Sequence, residues 1–318
     1  MLKEIKIVDE KKGIVKITTL NERYYAKQGM DAATGLPIYE YFPSSTFISS
    51  YYPKGIAFYK WLAEKGWNEA EGIKISAGDK GSKVHYACEE IDKGMDVAIS
   101  SLYMNNSKGI MEELTTEEYD CIQTYIKFIE DYEPILISNE LVGFGDFYAG
   151  TIDKIFAKDN GTSSRQILIV DLKTGQNIWT EQELQISSYS HMNINYKELG
   201  ITDEEWAGRK LYTLQLGYRR NKKGYKFTEV EDQFEDFKTI AYRTWLKENP
   251  NSKPKERDYP LVLSSQFRKD HIAEQKKRDD ESVFNKNNIN ENSPDVLMDE
   301  LTIEDDIKKI KKNIATKK

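Results

Sequence analysis

The sequence predicts an α/β fold in which a mixed central β-sheet is flanked by helices. Two observations carry that expectation. Strand-like runs rich in Ile, Leu and Val follow one another between residues 134 and 172, and further runs follow between 211 and 230. Helical periodicities precede, separate and follow these runs. A length of 318 residues suits one large domain with additions, and a composition 39% hydrophobic and 31% charged is globular.

Residues 1–43 read as an irregular arm. Ile14-Val15-Lys16-Ile17 alternates weakly, as a short strand does, and Tyr39 to Pro43 is aromatic and extended. Ser44-Ser45-Thr46 has the hydroxyl character of a helix start. Lys54 to Lys65 reads as an amphipathic helix with Ile56, Tyr59, Leu62 and Ala63 on one face. A second helix follows Gly81 and turns Val84, Ala87, Cys88 and Ile91 inward. A third runs from Thr115 to about Asp131, and Thr115 with Glu118 makes a capping-box pattern.

Pro134 to Val142, Phe147 to Ala157 and Gln166 to Leu172 are then strand candidates, the last two punctuated by the hairpin-turn sequence Asp159-Asn160-Gly161. A helix from Glu181 to Tyr196, strands from Leu211 to Tyr218 and Tyr225 to Val230, and a helix from Asp232 to Lys247 complete a domain over 44–250. Residues 269–318 are rich in Lys, Asp, Glu and Asn and poor in aromatics. That composition predicts a disordered tail, with one short helical stripe of isoleucines within Leu301 to Ile314.

The net charge of −7 argues against a protein that coats nucleic acid over a wide surface, because phosphate contacts demand lysine and arginine. Local clusters can still do so. The densest is Arg219, Arg220, Lys222 and Lys223, in the segment joining the last two strands. With 2 cysteines, no Cys-x-x-Cys and 3 histidines, two thiols cannot build an iron–sulfur or zinc site alone and an all-His/Cys site is almost excluded, so a bound metal must lean on carboxylates. No run approaches the roughly 20 apolar residues of a membrane helix. Met1 to Lys12 is charged and lacks the apolar centre of a signal peptide, so a cytoplasmic protein is expected.

The chemistry concentrates in Gly150-Thr151-Ile152-Asp153 and Ile169-Val170-Asp171-Leu172-Lys173. Asp171 and Lys173 share one face of a strand, and a hairpin partner can set Asp153 beside them. Adjacent carboxylates repel and desolvate badly unless a cation lies between them. Oxygen donors suit Mg²⁺ or Mn²⁺, and the Leu172 carbonyl can add one more. Lys173 can hold a phosphate or an attacking water. This is equipment for phosphodiester hydrolysis.

Asp153 followed by Asp171-x-Lys173 resembles the core of the PD-(D/E)XK nucleases, and further residues resemble their RecB-like branch, which includes phage recombination exonucleases. Gly81-x-x-x-His85 resembles its upstream G-x-x-x-H helix, Gly150 to Asp153 its G-x-x-D, and Gln185-x-x-x-Tyr189 its Q-x-x-x-Y helix. The resemblance covers roughly Ser44 to Lys247. It implies a restriction-endonuclease-like core, with His85, Asp153 and Asp171 as metal ligands and Lys173 as the catalytic lysine. Gln185 and Tyr189 would orient the active site and the DNA strand. Glu140 matches only loosely and is expected behind the ligands. The activity implied is Mg²⁺- or Mn²⁺-dependent hydrolysis of DNA, as an exonuclease in recombination or repair in a bacterial or phage-infected cell, beside a recombination or single-strand-annealing partner protein. Members that carry an iron–sulfur cluster use four cysteines, which this chain does not have.

Each residue also has a plainer reading. Asp171 and Lys173 could be a same-face ion pair, worth little at a surface. Gln185 and Tyr189 could simply pack on their helix, and Glu89, one turn beyond His85, could be solvated. Arg219 and Arg220 could decorate a hairpin tip or contact phosphates. Two other functions share these residues: a catalytically silent DNA-end-binding scaffold subunit, and a DNA endonuclease of the same fold. A silent copy has no physical need of clustered carboxylates, which favours the enzyme. From composition, deleting residues 269–318 should leave nuclease activity on short DNA nearly unchanged; a large loss of melting temperature would show that the tail packs on the core.

Overall fold

The structure, a computed structural model, describes residues 4–254 apart from 11, 20–21, 31–36, 160 and 162–163. These residues belong to one compact unit, Met1–Tyr259. The expected charged tail and its isoleucine stripe lie outside the described residues.

Four strands, β1 (Glu4–Asp9), β2 (Ile14–Thr18), β3 (Arg23–Met30) and β4 (Pro37–Pro43), form an antiparallel sheet in that order where an irregular arm was expected. The alternation is faint in the sequence because consecutive residues are buried on both faces: Ile14 and Tyr25 on one, Val15, Ile17, Tyr24 and Ala26 on the other. Tyr24 meets Phe47 and Trp245 edge-on at 5.7 and 6.4 Å, so this sheet shares a core with the rest of the unit.

Ser44 caps α1 (Ser45–Ser49), accepting the Phe47 N–H at 3.1 Å, as its hydroxyl-rich sequence suggested. Next come α2 (Ile56–Lys65) and the 26-residue α3 (Trp67–Asp92). α2 departs from expectation: Ile56 and Tyr59 are exposed, and Phe58, Trp61 and Leu62 are the residues partly covered. α3 begins well before Gly81, but Val84, Ala87 and Cys88 are fully buried as their spacing implied. A hairpin of β5 (Leu102–Asn105) and β6 (Ile110–Glu113) follows, too short to leave a period in the sequence. α4 (Thr116–Tyr132) starts with the capping box of Thr115 and Glu118.

The central sheet contains β7 (Ile135–Phe144), β8 (Ala149–Lys158), β9 (Gln166–Lys173), β10 (Lys210–Leu216) and β11 (Tyr225–Val230), in the spatial order β11-β10-β9-β8-β7. β7, β8 and β9 are an antiparallel meander, and β10 runs parallel to β9, which makes the sheet mixed. The parallel step requires a crossover. It is provided by α5 (Thr180–Ser190) and α6 (Asp203–Ala207). α5 is shorter than the expected 181–196, because Asn193 leaves the helix to donate to the Phe144 carbonyl at 2.7 Å along β7. The expected helix over 232–247 is α7 (Phe234–Asp236), a π-helical segment (Phe237–Tyr242) and α8 (Arg243–Glu248).

Alternation along the strands divides the interior in two. Ile155, Ile167, Ile169 and Leu211 face α1, α5 and the C-terminal helical stretch. Phe156, Leu168, Val170, Leu172 and Leu214 face α3 and α4. The sheet is thus flanked by helices.

Tyr24 ties the N-terminal sheet to this interior. Tyr24→Ala should lower unfolding free energy in urea by about 3–5 kcal/mol, as for other large buried aromatics. A loss below about 1 kcal/mol would show that this sheet is peripheral to the core.

Candidate metal centre

The β8–β9 ladder runs from Lys158↔Gln166 to Lys154↔Val170. Extended further, it would set Leu172 opposite Ile152. Side chains take over instead. The Leu172 N–H donates to Asp153 Oδ2 at 2.8 Å, and the Leu172 carbonyl lies 3.1 Å from His85 Nε2. The N–H and C=O of one strand residue point to the same side, so both leave β9 toward β8 and meet side chains where a strand partner would be.

His85 comes from α3, and its other ring nitrogen, Nδ1, lies 3.7 Å from Asp153 Oδ2 and 3.8 Å from Glu140 Oε1. Glu140 arrives from β7, between the register pairs Asn139↔Lys154 and Leu141↔Ile152. Its φ is 47°, a left-handed conformation that a glutamate keeps only where its surroundings hold it, and such positions gather at functional sites. One donor atom from each of His85, Glu140 and Asp153 lies within 4.8 Å of the others.

Asp171 and Lys173 stand beside this group on the same face of β9. Asp171 is 1% exposed, and Lys173 Nζ lies 2.6 Å from its Oδ2. That contact occupies Oδ2, whereas Oδ1 is buried without a hydrogen-bond partner. Lys173 also reaches Gln185 Oε1 at 3.4 Å, and the Gln185 amide in turn donates to the Tyr189 hydroxyl.

The charges show what the site lacks. Burial, opposed by Lys173 and reinforced by Asp153, lifts the Asp171 carboxyl to about 6. Burial opposes a charged His85, but Asp153 and Glu140 outweigh it and raise the imidazole to about 9. A proton on His85 therefore supplies positive charge that these carboxylates need, and a divalent cation could replace it. Burial, with Asp171 and Asp153 nearby, pushes the Tyr189 phenol well above its usual range, so it remains a hydroxyl.

The structure thus brings together His85, Asp153 and the Leu172 carbonyl, three of the four metal ligands put forward from the sequence. Asp171, the fourth, stays in its ion pair with Lys173 and lies outside the mutually close group. Glu140, expected behind the ligands, lies in the mutually close group instead. An acid on β7 directly opposite Asp153 was the signal for it, visible only once strand register is known. Glu89 turns away and pairs with Lys93 at 2.7 Å. Arg219 and Arg220 have other partners. Arg219 pairs with Glu117 at 2.6 Å, and Arg220 donates to Asn177 at 3.0 Å beside a polar cleft that also includes Tyr218 and Lys226.

The two motif glycines differ. A Cβ on Gly150 would lie 2.5 Å from Met192 Cε and 2.8 Å from Tyr189 Cε1, so only glycine lets α5 cross β8 there. A Cβ on Gly81 would meet only Thr174 Oγ1, at an ordinary 3.9 Å. No family model matches the chain, and no curated protein matches it. Among the described residues no helix is long and apolar enough to cross a membrane.

These contacts set opposite outcomes for the same substitution. Gly150→Ala should destabilise the protein by about 1–3 kcal/mol through overpacking. Gly81→Ala, inside a helix, should be neutral or stabilising by up to about 1 kcal/mol. Thermal melts of the two variants check this; equal effects would show that α5 does not press on Gly150.

Proposed function

We propose that this chain is a metal-dependent DNA nuclease of the PD-(D/E)XK type with a restriction-endonuclease-like core, acting as a RecB-like or phage-type exonuclease in recombination or repair. The observation that carries the reading is the convergence of Glu140 and Asp153 on His85 Nδ1, with the Leu172 carbonyl at the other ring nitrogen and the Asp171–Lys173 pair beside them. An imidazole nitrogen, carboxylate oxygens and a peptide carbonyl suit Mg²⁺ or Mn²⁺. Asp171 Oδ1, buried and without a partner, is an atom that a cation would satisfy. His85, Glu140, Asp153 and the Leu172 carbonyl would hold the ion, with Asp171 facing it from β9. Bound there, a divalent cation makes water a nucleophile at neutral pH and polarises a phosphate.

The chain's own groups do the rest. Lys173 has three donors; Asp171 and Gln185 aim its ammonium and leave donor capacity for a phosphate oxygen or the attacking water. Gln185 is fixed in turn by the Tyr189 hydroxyl, so the i, i+4 pair on α5 orients the lysine. DNA is held by charge that is local on an acidic protein. Arg219 and Arg220, with Lys222 and Lys223, can exchange Glu117 and Asn177 for phosphates without reading bases.

Asp171→Ala should reduce Mg²⁺-dependent cleavage of end-labelled linear DNA by about a thousandfold or more while the protein stays folded. Normal cleavage by the folded variant would contradict the site. Replacing Arg219, Arg220, Lys222 and Lys223 together by alanine should weaken DNA binding and lower the slope of log affinity against log salt by roughly 0.7–0.9 per lost phosphate contact. An unchanged slope would place the DNA path elsewhere.

A further inference from the structure

A buried polar network lies on the α3–α4 side of the sheet, behind the metal centre. Lys154 is 1% exposed in the middle of an apolar strand. Its ammonium contacts the Asp92 carboxylate at the end of α3 and the Asn139 amide oxygen on β7. It also lies 5.5 Å over the ring of Tyr125 on α4, whose hydroxyl donates to the other Asp92 oxygen at 2.7 Å. Four elements therefore meet at one ammonium group.

Three of the network's members are each coupled to one residue of the centre. Asn139 precedes Glu140 on β7, and Lys154 follows Asp153 on β8. Strand alternation sends each pair to opposite faces of the sheet. Asn139 and Lys154 are also register partners. Asp92 lies roughly two turns beyond His85 on the same stripe of α3. A slip of β7, or a shift of α3 along β8, would unpair a buried charge, which is strongly destabilising. An apolar side chain would also hold helix to sheet, but it would tolerate such sliding.

We propose that Lys154 and Asp92 are positioning residues of the metal centre, the pair fixing α3 against β7 and β8 so that His85 meets Asp153 and Glu140. The inference rests on the metal-centre reading above. It differs from a role in stability alone, because it ties the network to ligand geometry.

Titration calorimetry of Mn²⁺ into the full chain tests it, with wild type, Asp92→Asn, Lys154→Met, Tyr125→Phe and the core truncation Ile122→Ala compared well below their melting temperatures. Asp92→Asn and Lys154→Met should bind Mn²⁺ about 10–100-fold more weakly, the range for residues that orient metal ligands. Ile122→Ala, buried in the same core, should lose melting temperature and keep wild-type affinity. If Lys154→Met does not fold, Asp92→Asn carries the comparison, and Tyr125→Phe should fall between it and wild type. Wild-type affinity in folded Asp92→Asn would overturn the inference and leave the metal centre standing. An equal loss in Ile122→Ala would also overturn it, as a general effect of destabilisation. Absence of Mn²⁺ binding by the wild type would remove the centre and the inference together.

Discussion

The site depends on a strand pairing that stops early. Where β8 and β9 part, the peptide of Leu172 would be left with a bare N–H and carbonyl in a nearly closed interior, and each needs a partner. Asp153 takes the N–H and His85 the carbonyl. Satisfying one backbone residue thus places a carboxylate from β8 and an imidazole from α3 within reach of each other. Glu140 joins them because its own strand is paired to β8 and its backbone is held in a left-handed conformation within that strand. The resulting cluster of acids is short of positive charge, which is the physical reason to expect a cation there.

Layers on both sides of the sheet secure that gap. On the α5 side, Tyr189 and Met192 cross β8 at Gly150, and Tyr189 holds Gln185, which holds Lys173. The N-terminal sheet closes the same side through the Tyr25–Thr151 hydrogen bond at 2.8 Å, two residues from Asp153. On the α3 side the ties are polar, through Lys154 and Asp92. The centre opens to solvent past Glu140 and His85, whose side chains are 39% and 26% exposed, so a large substrate can approach from there.

Much of this was legible in the sequence because it is local. The capping box of α4, the three strands of the meander, the crossover helix and the D-x-K face all follow from residues close in the chain. What was not legible depends on register or on burial from both sides. Glu140 looked peripheral because its position opposite Asp153 appears only when β7 and β8 are aligned. β1 to β4 were obscured because Val15, Tyr24 and Tyr25 are covered on both faces, which erases the period of two. Lys154 is a charge inside an apolar strand; the anomaly was visible in the sequence, but its partners lie on three other elements. Asp171 was grouped with the ligands by its motif, whereas in the structure its nearest charge is Lys173.

The most direct measurement is a crystal structure of the full chain grown with Mn²⁺, with data collected to locate the ion by its anomalous signal. The expected result is a peak within about 2.5 Å of donor atoms from His85, Glu140 and Asp153, with Asp171 or the Leu172 carbonyl completing the coordination. Absence of a peak at millimolar Mn²⁺, or a peak away from these residues, would contradict the assignment of this cluster as the metal centre.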